Sequence, residues 1–169
     1  MTPMFDYVFT GLNSSGYLEK YRSINNTMLI ALDAVCYFSS HNIHCDCCRE
    51  QHHKNGEITY THSAITTVLV APGNPNVISL TPEFITTQDG HDKQDSENAA
   101  AKRWLQEHAK KFRSLGITFL GDDLYAHQPL RSAILQEQCH FILTCKPDSH
   151  KTVYEWVDEL AAINIAGGN

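Results

Sequence analysis

The sequence predicts an α/β fold built on a mixed five-stranded sheet, with elements in the order β-β-β-α-β-α-β-α. Three observations predict it. Residues 28–33 (MLIALD) are an apolar run closed by an acid, the pattern of a buried strand. Residues 57–85 carry stretches rich in Ile, Thr, Tyr and Val, broken by turn signals. From residue 95 onward, helically spaced apolar residues alternate with short apolar strands.

Each element follows in order. Residues 1–27 suit two short helices separated by Asn13-Ser14-Ser15-Gly16. The first strand starts at Met28 and can run on through Val35, Tyr37 and Phe38. Residues 41–54 are polar, rich in His and Cys, and read as a loop; Asn55-Gly56 then signals a turn. A second strand is expected over 57–70 and a third over 76–85, joined by the turn residues Pro72, Gly73, Asn74 and Pro75. These three form an antiparallel meander. Ala101, Trp104, Leu105, His108, Phe112 and Leu115 share one helical face, with Asp95 or Ser96 as N-cap and Gly116 as C-cap. A short strand at 117–120 ends in Gly121-Asp122-Asp123, and a helix at 129–138 opens on Pro129. The fifth strand is expected at 140–145 and a third amphipathic helix at 150–162. The chain thus divides into an N-terminal helical segment (1–27), a core (28–162) and a disordered tail (163–169).

Composition bounds the function. The chain has 169 residues, 42% hydrophobic and 19% charged, so it is one domain with a real core. A net charge of −6 argues against coating nucleic acid by bulk charge, and leaves a local basic groove open. No stretch approaches the roughly 18 apolar residues of a membrane span. The N-terminus lacks the basic and apolar regions of a secretory signal, so no membrane partner and a cytoplasmic location are expected.

Strands alternating with helices in the second half pair in parallel through right-handed crossovers. With an antiparallel first half, that is the ribonuclease H-like arrangement. It makes the first and fourth strands neighbours, so Asp33 and Asp122 meet at one edge, with Asp123 beside them. Two close carboxylates suit Mg²⁺, which keeps several waters. Paired ions of this kind activate an attacking oxygen and stabilise a leaving one. Acids at strand ends also commonly cap helices or face solvent, and for this pair the two readings weigh about equally. Other phosphate chemistries fail: position 35 is Val where an Asp-nucleophile phosphatase needs a second Asp, and no Gly-rich turn follows the first strand.

The segments LIALDAVCYFSSHNIHCDCC, HHKNGEITYTHSAI, TPEFITTQDGHDKQDSENAAAKRWL, FLGDDLYAHQPL and FILTCKPDSHKTVYEWV resemble DDE-type insertion-sequence transposases. The resemblance runs from about residue 5 to residue 160. It implies a ribonuclease H-like catalytic domain, metal-dependent DNA cleavage and strand transfer, transposon-end and target DNA as partners, and a homodimer in the full-length protein. It implies Asp33 as the first acid, although Ala34 and Val35 replace the small residues that usually follow. It implies Asp122, ahead of Leu124-Tyr125, as the second, with Asp123 as an accessory candidate. Both hold Mg²⁺ or Mn²⁺ in that reading. The family's third acid is a Glu on a later helix, so the chain reads as an inactive fragment. The acids Glu155 and Glu159 serve only if the protein is instead a stand-alone ribonuclease H-like nuclease.

Four residues make a second group. Cys45 and Cys48, with two residues between them, together with His53 and His62 offer the thiolates and imidazoles of a structural Zn²⁺ site. The resembling family carries the same four residues. Free thiols on a surface loop are the alternative. A non-catalytic, zinc-stabilised DNA-binding or interaction remnant is the corresponding functional alternative. Glu97, Lys93 and His91 precede or open the first long helix as site-lining candidates, against plain helix-start electrostatics. Lys102, Arg103, Lys110, Lys111 and Arg113 give that helix a basic face for phosphates or solvent. Tyr125, His127 and Lys146 are expected near the edge that bears Asp122, with Lys146 as an accessory phosphate contact.

Overall fold

The structure, a computed structural model, describes residues 2–89 and 93–166. His91, the Lys93 side chain and the last three residues of the tail lie outside what is described.

The fold is α/β, with a mixed sheet flanked by helices. Helix α1 (Thr2–Ser14) leads through two short 3₁₀ turns into strand β1 (Met28–Ser40). Strand β2 (Arg49–His52) follows, then β3 (Ile58–Val70), β4 (Ile78–Ser79) and β5 (Glu83–Ile85). Helix α2 (Lys93–Phe112), strand β6 (Ile117–Gly121), helix α3 (Gln128–Gln136), strand β7 (His140–Leu143) and helix α4 (Lys151–Ala166) complete the order. The sheet runs β2-β3-β1-β6-β7. β1 pairs antiparallel with β3 and parallel with β6, and β6 pairs parallel with β7.

The expected third strand is not a single strand. Its place along the outer edge of β3 is filled by three short pieces: β2 opposite Ile58–Thr61, β5 opposite Ser63–Ile65 and β4 opposite Val68–Leu69. Pro82 separates β4 from β5, because a proline has no amide to give the ladder. β2 lies inside the stretch read as a loop. Its residues Arg49, Glu50, Gln51 and His52 carry no apolar alternation, and three of the four are exposed.

Helix α2 starts before both expected caps. Ser96 instead accepts a hydrogen bond from the Arg49 guanidinium at 2.9 Å, joining the helix to β2. At the other end, Gly116 adopts a positive φ of 66° and its amide reaches the Arg113 carbonyl, ending the turn as expected. Pro129 sits in the first turn of α3, also as expected. Helix α4 reaches Ala166, so the first part of the expected disordered tail is helical.

The core lies where α2 crosses the sheet. Trp104 is fully buried, stacked on Phe112 and edge-on to Phe119 of β6. Its indole nitrogen donates to the Thr81 carbonyl at 2.6 Å, which satisfies the one polar atom of that ring. Ile30 and Ile65 bring the two central strands into the same cluster. α4 is the exception: Val153, Trp156, Val157 and Leu160 on its apolar stripe are all exposed. No helix among the described residues is long and apolar enough to cross a membrane.

Candidate functional site

The parallel ladder of β1 and β6 runs from Met28↔Ile117 to Ala31↔Leu120. Continued two residues in that register, it sets Asp33 level with Asp122. Neighbouring strands lie about 4.8 Å apart, and equal register puts both residues on the same face. The fold therefore brings the two acids to one sheet edge, at the carboxyl ends of adjacent parallel strands. Open α/β sheets carry their ligand sites at such edges.

Both acids are exposed, and each uses one oxygen locally. Asp33 accepts from the Ala34 amide at 2.8 Å, and Asp122 accepts from the Leu124 amide at 3.0 Å. The Asp122 contact caps the 3₁₀ turn Asp123–Tyr125. That turn carries Tyr125 inward, where it is 1% exposed with no hydrogen-bond partner for its hydroxyl. Burial pushes the Tyr125 phenol far above its ordinary value, and the carboxylates of Glu97, Asp33 and Asp122 push in the same direction. Tyr125 thus stands within electrostatic reach of all three acids. Glu97 is itself buried on the first turns of α2 and lines a cleft of about 460 Å³ with Cys36, Arg49 and Ser63. Next to it, the Asn98 side-chain amide donates to the Leu124 carbonyl at 3.4 Å, tying α2 to the turn after β6.

Asp123 does other work. Its carboxylate accepts from the Ser149 hydroxyl and from the Lys146 backbone amide at 2.7 Å, and lies 3.3 Å from His150 Nε2. The Ser149 hydrogen bond first, then the Lys146 amide, hold its carboxyl below the ordinary range. Asp123 therefore latches the segment before α4 to the end of β6, which separates it from Asp122 by role. Lys146 contributes its main chain to that latch, while the residue as a whole is exposed. His127 stacks on His150 at 5.7 Å between ring centres. Glu155 and Glu159 are exposed on α4. Much of the basic face of α2 is spent on acids: Arg103 pairs with Glu83 and Asp89, Lys111 with Asp6, and Arg113 with Glu137.

The Cys/His group is assembled in part. The donor atoms of Cys45, Cys48 and His62 lie within 4.8 Å of one another, a group able to hold a metal ion such as zinc. Among the described residues it is the one trio of His, Cys, Asp or Glu donors that close, and the three carboxylates above do not make another. His53 does not belong to it. The β2–β3 hairpin pairs His52 with Ile58, so His53 sits at the turn, bonded through Nε2 to Thr59 Oγ1 at 2.8 Å. His53 is level with Glu57, and His62 stands five residues further along the chain, about 17 Å away at the rise of a strand. Within the trio, the Cys45 amide draws the Cys48 thiol down, but burial and the neighbouring thiols prevail and its pKa is raised.

Tyr125 was legible as a neighbour of the edge, since it follows Asp122 by three residues; its buried, unpartnered hydroxyl was not. Compared with protein-family models, with curated proteins and with solved structures, the chain matches none.

Proposed function

We propose that the chain is the ribonuclease H-like catalytic region of a DDE-type insertion-sequence transposase. The observation that carries the reading is the parallel β1–β6 ladder, which ends at Ala31↔Leu120 and so leaves Asp33 and Asp122 each two residues beyond its last pair. The sheet order, with an antiparallel first half and a parallel second half, is the order such a domain needs.

The donor set fits Mg²⁺ or Mn²⁺: two exposed carboxylates at one edge, each with oxygen capacity left over from its amide bond. Such an ion, when bound, activates an attacking oxygen and stabilises the leaving one. Asp33 and Asp122 hold it and fix where the scissile phosphate lies. Glu97 supplies a third negative group on the α2 side of the edge. Tyr125 keeps its proton and remains a donor beside the three acids. The substrate is a phosphodiester of the element end, cut by water. The freed 3′-OH then attacks a target phosphodiester: a new P–O bond forms, the target's P–O3′ bond breaks, and its 3′ oxygen leaves with a proton. DNA is the partner, and the assembled enzyme is a homodimer in this reading. The Cys/His group carries zinc in a structural role.

A second reading is a non-catalytic zinc-stabilised DNA-binding module. The closed Cys45–Cys48–His62 trio, against carboxylates that do not close, favours it. Mn²⁺ binding separates the two. Under the first reading, Mn²⁺ binds the purified chain, and Asp33→Asn and Asp122→Asn each weaken it by about tenfold or more with the fold intact by circular dichroism. In an active transposase that carries this region, Asp33→Ala and Asp122→Ala also abolish strand cleavage. Mn²⁺ binding that neither Asn variant alters, or cleavage retained by either Ala variant, defeats the transposase assignment.

A further inference from the structure

We infer that Cys45, Cys48, His62 and His44 form a closed four-ligand zinc centre that clamps the loop after β1 onto β3. This centre is separate from the acid edge and does not depend on its chemistry.

The distances carry the inference. In a tetrahedral site with Zn–S near 2.3 Å and Zn–N near 2.0–2.1 Å, the edges are about 3.8 Å between sulfurs and about 3.5 Å between sulfur and nitrogen. Here Cys45 Sγ and Cys48 Sγ are 3.8 Å apart, and His62 Nε2 lies 3.4 Å and 3.2 Å from them. The three donors outline one face of the tetrahedron. All three separations match the edges of a zinc tetrahedron, so one shared ion accounts for the triangle as a whole.

The surroundings are built for it. The Cys48 amide donates to the Cys45 carbonyl at 3.0 Å, which folds the Cys-x2-Cys turn. The Cys45 amide points at Cys48 Sγ at 3.3 Å, a donor that supports a thiolate. His62 is held in orientation by Tyr37, stacked at 5.9 Å and 12°, and by Phe38 at 5.6 Å. A cavity of about 210 Å³ opens on the triangle, lined additionally by Phe38, Ile43 and His44. His44 is the one further metal donor on that lining, and it adjoins Cys45 in the chain. Its ring rests against Tyr60 at 4.4 Å, outside the closed trio, so ligation requires it to turn toward the triangle. Apolar walls on the remaining sides suit a structural zinc rather than one that keeps an open coordination position.

The test uses the whole chain purified without chelator. Stoichiometric zinc is expected, and after stripping, Co²⁺ gives a thiolate charge-transfer band with the intense visible bands of a tetrahedral site. Cys45→Ser and Cys48→Ser lose the bands, His44→Ala weakens zinc binding by about tenfold or more, and His53→Ala binds as the parent does. If these variants fail to fold, the parent chain still decides. Zinc should shield Cys45 and Cys48 from alkylation while the exposed Cys36 and Cys47 react, and chelation should expose Cys45. Absence of both zinc and the cobalt charge-transfer band overturns the centre. Alkylation of Cys45 and Cys48 unchanged by zinc does so too. His44→Ala binding at parental strength, or His53→Ala losing metal as Cys48→Ser does, overturns the ligand set.

Discussion

Replacing Tyr125 by Phe separates a structural hydroxyl from a functional one. The side chain is 1% exposed and its hydroxyl has no partner. Burying a hydroxyl without a hydrogen bond costs roughly 1–3 kcal/mol on mutational scales. Phe keeps the ring and removes that cost, so Tyr125→Phe is expected to stabilise the fold by about 1 kcal/mol or somewhat more. For a chain of this length, 1 kcal/mol moves Tm by roughly 2–4 °C. A raised Tm in thermal unfolding, together with an unchanged denaturant m-value, is the expected result. Glu97, Asp33 and Asp122 all push the phenol upward with burial, so it keeps its proton, and under the proposed function that proton is held beside the acid edge. Strand cleavage by the assembled enzyme should therefore fall about tenfold or more while stability rises. A variant destabilised by 1 kcal/mol or more refutes the reasoning, because the hydroxyl would then be making a bond that holds the fold. A stabilised variant with undiminished cleavage leaves the burial unexplained by function and refutes the other half.

Two further predictions concern the same edge. A Cβ added at Gly121 would stand 3.0 Å from Leu143 Cδ2 and from Tyr125 Cδ2, and 3.2 Å from Tyr125 Cβ. Gly121→Ala should thus cost about 1–3 kcal/mol by urea unfolding and displace Tyr125, read as a changed tyrosine near-ultraviolet signal; a cost under about 0.5 kcal/mol counts against this packing. Asp123 has a folded-state pKa below its unfolded one, chiefly through Ser149. Its stabilisation is therefore fully present above the unfolded value near 3.9 and is lost as pH falls through the folded value. Comparing Asp123→Asn with the parent from pH 7 down to pH 2 should show a stability gap that closes with acid. A gap constant across that range would remove Asp123 as the latch.

What the sequence made legible is what local chemistry decides. The apolar run at residue 28, the acid at its end, the Gly116 stop and the Pro129 start each follow from the residues themselves. The register that levels Asp33 with Asp122 followed from topology, since right-handed crossovers leave few ways to order two parallel strands. The outer edge of β3 was illegible for the opposite reason. β2 is polar throughout and β4 is two residues long, so their pairing rests on β3 as template rather than on their own pattern. The ligand set failed at His53 on the same point. Distance along a sequence says nothing of strand register, and the hairpin that fixes His53 at its turn carries His62 well away from it. His44 was legible only as one of the histidines clustered around residues 41–62; the cavity beside the trio is what singles it out.

The two candidate sites share one strand, and this constrains how each can work. β1 pairs with β6 only as far as Ala31, whereas its pairing with β3 continues to Ser40 across a bulge between Cys36 and Phe38. Asp33 sits just past the point where β1 leaves β6. Beyond it, β1, β3 and β2 extend as a ribbon whose side chains Val35 and Tyr37 are exposed. Ala64 and Ile65 of β3 are buried near its root, but further out no apolar residue of β1 or β3 is buried, and such a ribbon is marginal in water by itself. The Cys45–Cys48–His62 group closes in the outer part of this ribbon, joining the loop after β1 to β3. A metal there supplies the cross-link that packing does not, at the cost of few residues. Asp33 lies at the root of this ribbon, so under the two proposals above a metal at the cysteines would bear on the strand that carries the acid.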